Sequence, residues 1–208
     1  MYTHQKNIIT AGVPMESADK AIVFLHGRGA SAADIIQLNQ HLKVNDAALF
    51  APQASNHSWY PYGFMALEKE NQPALDSALE LIGELVAEIV ANGIPLNKVF
   101  FAGFSQGACL TLEYISRNAA RYGGAIAFTG GLIGETIDRS KYTGDFMQTP
   151  VFISTGNPDP HVPVSRVEES GAILKEMNAD VQVKIYPGRV HTISNPELEL
   201  AREMVFHL

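Results

Sequence analysis

At 208 residues the chain fits one compact domain, residues 1–208, with a single good hydrophobic core. Its composition, 46% hydrophobic and 18% charged, is ordinary for a globular protein, and no run approaches the roughly 18 apolar residues of a membrane-spanning helix. The balance of 15 basic against 22 acidic residues, net −7, argues against nucleic acid as a partner, because phosphate binding needs clustered Lys and Arg.

Short apolar runs alternate with longer amphipathic ones, which predicts an α/β fold with a mostly parallel central sheet and helices on both faces. Residues 21–25 form an all-apolar run, expected as a strand buried on both faces. A helix is expected over 31–41 and a second strand over 47–51, stopped by Pro52. The longest helix is expected over 71–92, with Leu75, Leu79, Ile82, Val86 and Ile89 on one stripe. Strand 99–104, helix 106–118, strand 125–128, strand 151–155 and helix 165–177 follow. Residues 181–186 alternate apolar with polar, so this strand is expected nearer an edge. The last helix is expected from Ser194-Asn195-Pro196-Glu197 to about His207, with Ser or Asn as cap and Glu at the positive helix end.

Two stretches remain uncovered. Residues 52–66 are rich in aromatics, and residues 129–149 are rich in Gly and polar side chains. Both follow strands, so both are expected at the carboxyl edge of the sheet, where open α/β sheets place ligands.

The chemistry is carried first by Gly103-Phe104-Ser105-Gln106-Gly107, a Gly-x-Ser-x-Gly pentapeptide between a predicted strand and a predicted helix. In an α/β-hydrolase such a turn lifts the Ser hydroxyl above the sheet at a helix start, so Ser105 is the candidate nucleophile. The tetrahedral intermediate of acyl transfer needs fixed donors for its oxygen. The backbone N–H groups of Gln106 and of Arg28, in the glycine-bearing loop His26-Gly27-Arg28-Gly29-Ala30, are the candidates. His26 precedes Ser105 at a strand end and is expected to hold that loop.

The expected chain order is Ser, then Asp or Glu, then His. Asp159 lies between Pro158 and Pro160, just after strand 151–155, and is the candidate acid; Asp138 and Asp145 fall in the uncovered stretch 129–149. Of the later histidines, His161 is only two residues from Asp159 and His207 ends the last helix. His191, between the last strand and the last helix, is the candidate base. Together these predict a serine hydrolase that cleaves esters or thioesters of small acyl substrates through an acyl-enzyme.

The chain resembles the carboxylesterase/phospholipase/acyl-protein thioesterase family of small α/β-hydrolases. The resemblance rests on residues 24–29, 51–53, 58–60, 103–108, the 156–163 segment with Asp159, and His191. It implies the same triad, Ser105, Asp159 and His191, the donors Arg28 and Gln106, and hydrolysis without metal or organic cofactor. Where the family often reads Leu-Gly-Asp after His-Gly, this chain reads Arg28-Gly29-Ala30. The Arg28 side chain is expected to point to solvent rather than recognise a carboxylate.

Trp59, Tyr60, Phe64 and His57 are the candidate pocket residues, against the alternative that the aromatics pack onto the core and His57 lies at the surface. A zinc site from His26, His57, Asp159 and His161 has no supporting spacing. Cys109, the one cysteine, is expected as a small buried residue, and a lone thiol fits a cytoplasmic location, as does a start without a secretory stretch. A second copy of the chain is a candidate partner. The competing functions are acyl-protein thioesterase or lysophospholipase-like cleavage of longer acyl chains, and a non-catalytic binding module. A dienelactone-type hydrolase would carry Cys where this elbow has Ser105.

Overall fold

The computed structural model describes residues 3–207. In chain order the elements are β1 (Ile8–Gly12), β2 (Ala21–Leu25), α1 (Ala32–Ile35), α2 (Leu38–Leu42), β3 (Ala48–Pro52), α3 (Glu68–Asn71), α4 (Ala74–Ala91), β4 (Val99–Phe104), α5 (Gln106–Arg117), β5 (Gly124–Phe128), β6 (Pro150–Asn157), α6 (Val164–Glu176), β7 (Asp180–Pro187) and α7 (Asn195–Phe206). The strands form one seven-stranded sheet in the order β1-β3-β2-β4-β5-β6-β7. Every pairing is parallel except β1 with β3.

The strand period of two divides the core into two layers. In β4, Val99 and Phe101 face one layer with Leu75 and Ile82 of α4, Leu110 and Ile115 of α5, and Val167 and Ile173 of α6. Phe100 and Ala102 face the other, with Ala32 and Ile35 of α1, Leu42 of α2, and Leu198, Ala201 and Val205 of α7. Strands β2, β3 and β5 are buried along their whole length, which is why their sequences are unbroken apolar runs. β7, whose sequence alternates, is the edge strand at the far side.

Three sequence expectations change in detail. The single helix over 31–41 is two short helices, because the chain between them closes tight turns, Gln37 N–H to Asp34 O and Asn39 N–H to Ile36 O. The long helix begins at Ala74, not Asn71, since Pro73 sits before its first turn and the Asn71 side chain binds Tyr62 N–H and Gly63 O instead. β1 had no sequence signal: four of its five residues are exposed, so nothing in their polarity marks a buried face.

Candidate active site

The β4–α5 turn is sharp and closely packed. Ser105 has φ 55° and ψ −117°, a conformation strained for any residue with a Cβ, and it is held there by its N–H bonding to Phe128 O at 2.9 Å. Both flanking glycines are required sterically. A Cβ on Gly103 would lie 2.3 Å from Gly107 O, and one on Gly107 would lie 2.0 Å from Leu25 O. Those neighbours are backbone and cannot swing away. Gly107→Ala is therefore expected to lose about 2 kcal/mol or more in denaturant unfolding, and unchanged stability would show that the elbow relaxes freely.

The imidazole of His191, in the loop between β7 and α7, meets the turn from above. Its Nε2 lies 2.8 Å from Ser105 Oγ, and its Nδ1 lies 2.9 Å from Asp159 Oδ2. Asp159 follows β6, and its side chain is fully buried. Its other oxygen accepts the N–H groups of His161 at 2.8 Å and Val162 at 2.9 Å. Burial alone would raise its pKa, but these N–H donors and the imidazole outweigh it and hold the carboxyl below the usual carboxylate range. The structure thus brings Ser105, His191 and Asp159 into one hydrogen-bonded chain at the carboxyl ends of three strands.

The loop after β2 passes close enough to the turn that a Cβ on Gly27 would lie 3.5 Å from Ser105 Cβ. Among the described residues, the N–H groups of Arg28 and Gln106 have no hydrogen-bond acceptor. His26 holds this loop from beneath. Its Nε2 accepts the Ala54 N–H at 3.1 Å, so Nδ1 is the donor to Gly27 O at 2.8 Å. Burial lowers its pKa and keeps this ring neutral.

A cleft of about 340 Å³ opens over Ser105, with Tyr60, Phe64, Cys109 and Val162 as its apolar wall and Arg28 and His161 as polar members. Two candidate pocket residues fall outside it. Trp59 is fully buried beneath the loop, where its indole N–H reaches His26 O at 2.9 Å. His57 stands at the surface, with Nδ1 donating to Ala30 O at 2.8 Å. The Arg28 side chain adds a detail to expectation. It is exposed yet not free in solvent, being bound to the 58–62 segment through Ser58 Oγ at 2.8 Å, Pro61 O at 2.9 Å and Tyr62 O at 2.5 Å.

Sequence reasoning passed over three residues here. The nearness of His161 to Asp159 hides its place: its backbone N–H bonds the carboxylate while its ring stands edge-on to His191 at 5.0 Å. Cys109 lies one helical turn after Ser105, a spacing that itself points it to the cleft. The Gln106 side chain, beyond its N–H, fixes the aromatic loop: Oε1 accepts Trp59 N–H at 2.9 Å and Nε2 donates to Tyr60 O at 2.8 Å.

Comparison with known proteins agrees with this arrangement of elements. A crystal structure of a phospholipase/carboxylesterase from Dyadobacter fermentans is 64% identical with a TM-score of 0.98, over 99% of each chain. Acyl-protein thioesterase 1 of Saccharomyces cerevisiae is 26% identical, over 93% of this chain and 94% of the relative. A probable carboxylesterase, SOBER1-like, of Arabidopsis thaliana is 28% identical over 68% of this chain, and the match spans 55% of that relative. Residues 6–207, nearly the whole chain, match the phospholipase/carboxylesterase family, and the chain belongs to that family of α/β-hydrolases.

Proposed function

We propose that the protein is a serine hydrolase of short acyl esters or thioesters, with Ser105 as nucleophile, His191 as general base and acid, and Asp159 as the group that orients the imidazole. The carrying observation is the unbroken chain Ser105 Oγ–His191–Asp159, with contacts of 2.8 and 2.9 Å. Ser105 Oγ attacks the acyl carbonyl as its proton passes to His191 Nε2. Nδ1–H stays donated to Asp159, whose charge stabilises the imidazolium. The oxyanion is received by the N–H groups of Arg28 and Gln106. His191 then protonates the departing alcohol or thiol, and a water, deprotonated by the same ring, clears the acyl-enzyme.

Cys109 is no rival nucleophile, because burial pushes its thiol up to about 12 and leaves it protonated at neutral pH. A cleft of about 340 Å³, at the small end for ligand sites, supports short acyl groups. The free, buried thiol suits a cytoplasmic setting.

The test is turnover of 4-nitrophenyl acetate, butyrate and octanoate and of an acyl thioester, with mass-spectrometric mapping of a fluorophosphonate label. The expected result is fastest turnover of the shorter esters and the label on Ser105. A preference for octanoate would move the reading to longer acyl chains. Reversible ligand binding with no turnover would make the protein a binding module.

Acidification gives a second expected result. A protonated imidazole cannot take the Ser105 proton, so the rate should fall on acidification. Asp159, held below the usual range, remains ionised throughout, so the acid limb should follow a single proton. A flat profile would sink the assignment of His191.

A further inference from the structure

We propose that the Arg28 side chain makes this cleft a receptor for esters that carry a carboxylate, gripping that carboxylate beside the reacting serine. The proposal rests on the reading of Ser105 as nucleophile and adds a substrate class to it.

A guanidinium has five N–H donors. Arg28 spends three, both of Nη1 on Ser58 Oγ and Pro61 O and one of Nη2 on Tyr62 O. Nε–H and the second Nη2 hydrogen are left unengaged among the described residues. That pair is the combination that holds a carboxylate through two parallel hydrogen bonds. The three acceptors are all neutral, so the charge itself is unspent.

Of the six other arginines four meet carboxylates, Arg117 with Glu113, Arg139 with Glu176, Arg166 with Glu169 and Arg189 with Glu197, while Arg121 bonds backbone carbonyls. Arg28 has no such partner among the described residues. No Asp or Glu lines the cleft either, and the Asp159 carboxylate is already engaged by His191 and two N–H groups. The cleft lining therefore carries one fixed positive charge and no carboxylate, the Asp159 charge being spent behind His191. The Arg28 side chain is also ordered before any ligand arrives, stacked 6.0 Å from the Tyr60 ring centre, so little conformational entropy remains to be lost on binding.

The experiment compares charged and neutral esters within each variant, so that any damage to the backbone around residue 28 cancels. One pair places the carboxylate on the acyl side (mono-4-nitrophenyl glutarate against 4-nitrophenyl valerate). The other places it on the alcohol side (4-carboxyphenyl butyrate against phenyl butyrate). The charged-to-neutral ratio of kcat/KM is expected to fall about 10-fold or more from wild type to Arg28→Met in one pair, with Arg28→Lys between. The pair that responds identifies which side of the ester carries the charge. Ratios that do not change in either pair overturn the proposal, even with both esters turned over. A turnover-independent measurement separates this from failure of the nucleophile assignment. Ser105→Ala should bind monomethyl glutarate in calorimetry and lose at least 10-fold in affinity when Arg28→Met is added. Equal affinity in the two proteins refutes the role of Arg28 whatever the serine does.

Discussion

Ser105→Ala is expected to lower kcat for 4-nitrophenyl butyrate by about 10³-fold or more while leaving the thermal midpoint essentially unchanged. The effect on rate follows from removing the proposed nucleophile, the hydroxyl 2.8 Å from His191 Nε2. The neutrality in stability follows from the backbone. The turn is fixed by the N–H bond of residue 105 to Phe128 O and by glycines on either side, and neither depends on the hydroxyl. Alanine meets the same left-handed strain as serine, so nothing is gained or lost there. His191→Ala should fall by a similar factor, and Asp159→Asn by less, since Asn still accepts the N–H groups of His161 and Val162. The sharper test is the double variant Ser105→Ala/His191→Ala. Groups that act as one unit are not additive, so it should be about as slow as either single variant. Two separate losses that multiply would mean that the serine and the imidazole work independently, and the proposed mechanism would be wrong.

The parts of this site that the sequence made legible are those encoded locally. A Gly-x-Ser-x-Gly turn needs its two small residues because backbone passes within touching distance, and that demand is visible in five letters. Asp159 and His191 are marked as candidates by their place after strands, because parallel strands deliver their following loops to one edge. What failed was the direction of side chains within a loop. Trp59, Tyr60 and Phe64 are all large aromatics, yet Trp59 turns inward to His26 O while Tyr60 and Phe64 face the cleft. That choice is made by Gln106, 47 residues from Trp59, through an amide whose partners no local pattern announces. The loop contacts of Arg28 are hidden for the same reason: its acceptors lie at separations of 30 to 34 residues.

Glu197 shows the same gap between local and distant reading, and carries the second large expected effect. In sequence it is an acid in the first turn of α7, suited to a helix N-terminus. In the fold its side chain is fully buried, accepts Ser194 N–H at 3.0 Å and Ser154 Oγ–H, and faces the guanidinium of Arg189 at 3.3 Å. The Arg189 side chain is itself 8% exposed and reaches Thr129 Oγ1 at 3.2 Å, so the pair joins α7 to the end of β5 and, through Ser154, to β6. It also stands two residues before His191, in a loop pressed so close to β6 that a Cβ on Gly156 would lie 2.1 Å from Arg189 O. Removing one partner of a buried ion pair leaves the other charge without compensation, at a cost of about 3–5 kcal/mol. Glu197→Ala is therefore expected to lower the thermal midpoint by roughly 10 °C. Because the loop that loses its anchor carries the base and not the cleft wall, kcat should fall more than KM rises. The double variant Glu197→Ala/Arg189→Met should recover part of the stability, since it removes the stranded charge. A double variant as unstable as Glu197→Ala would show that the cost lies in lost packing around α7, and the ion pair would no longer explain how the His191 loop is held.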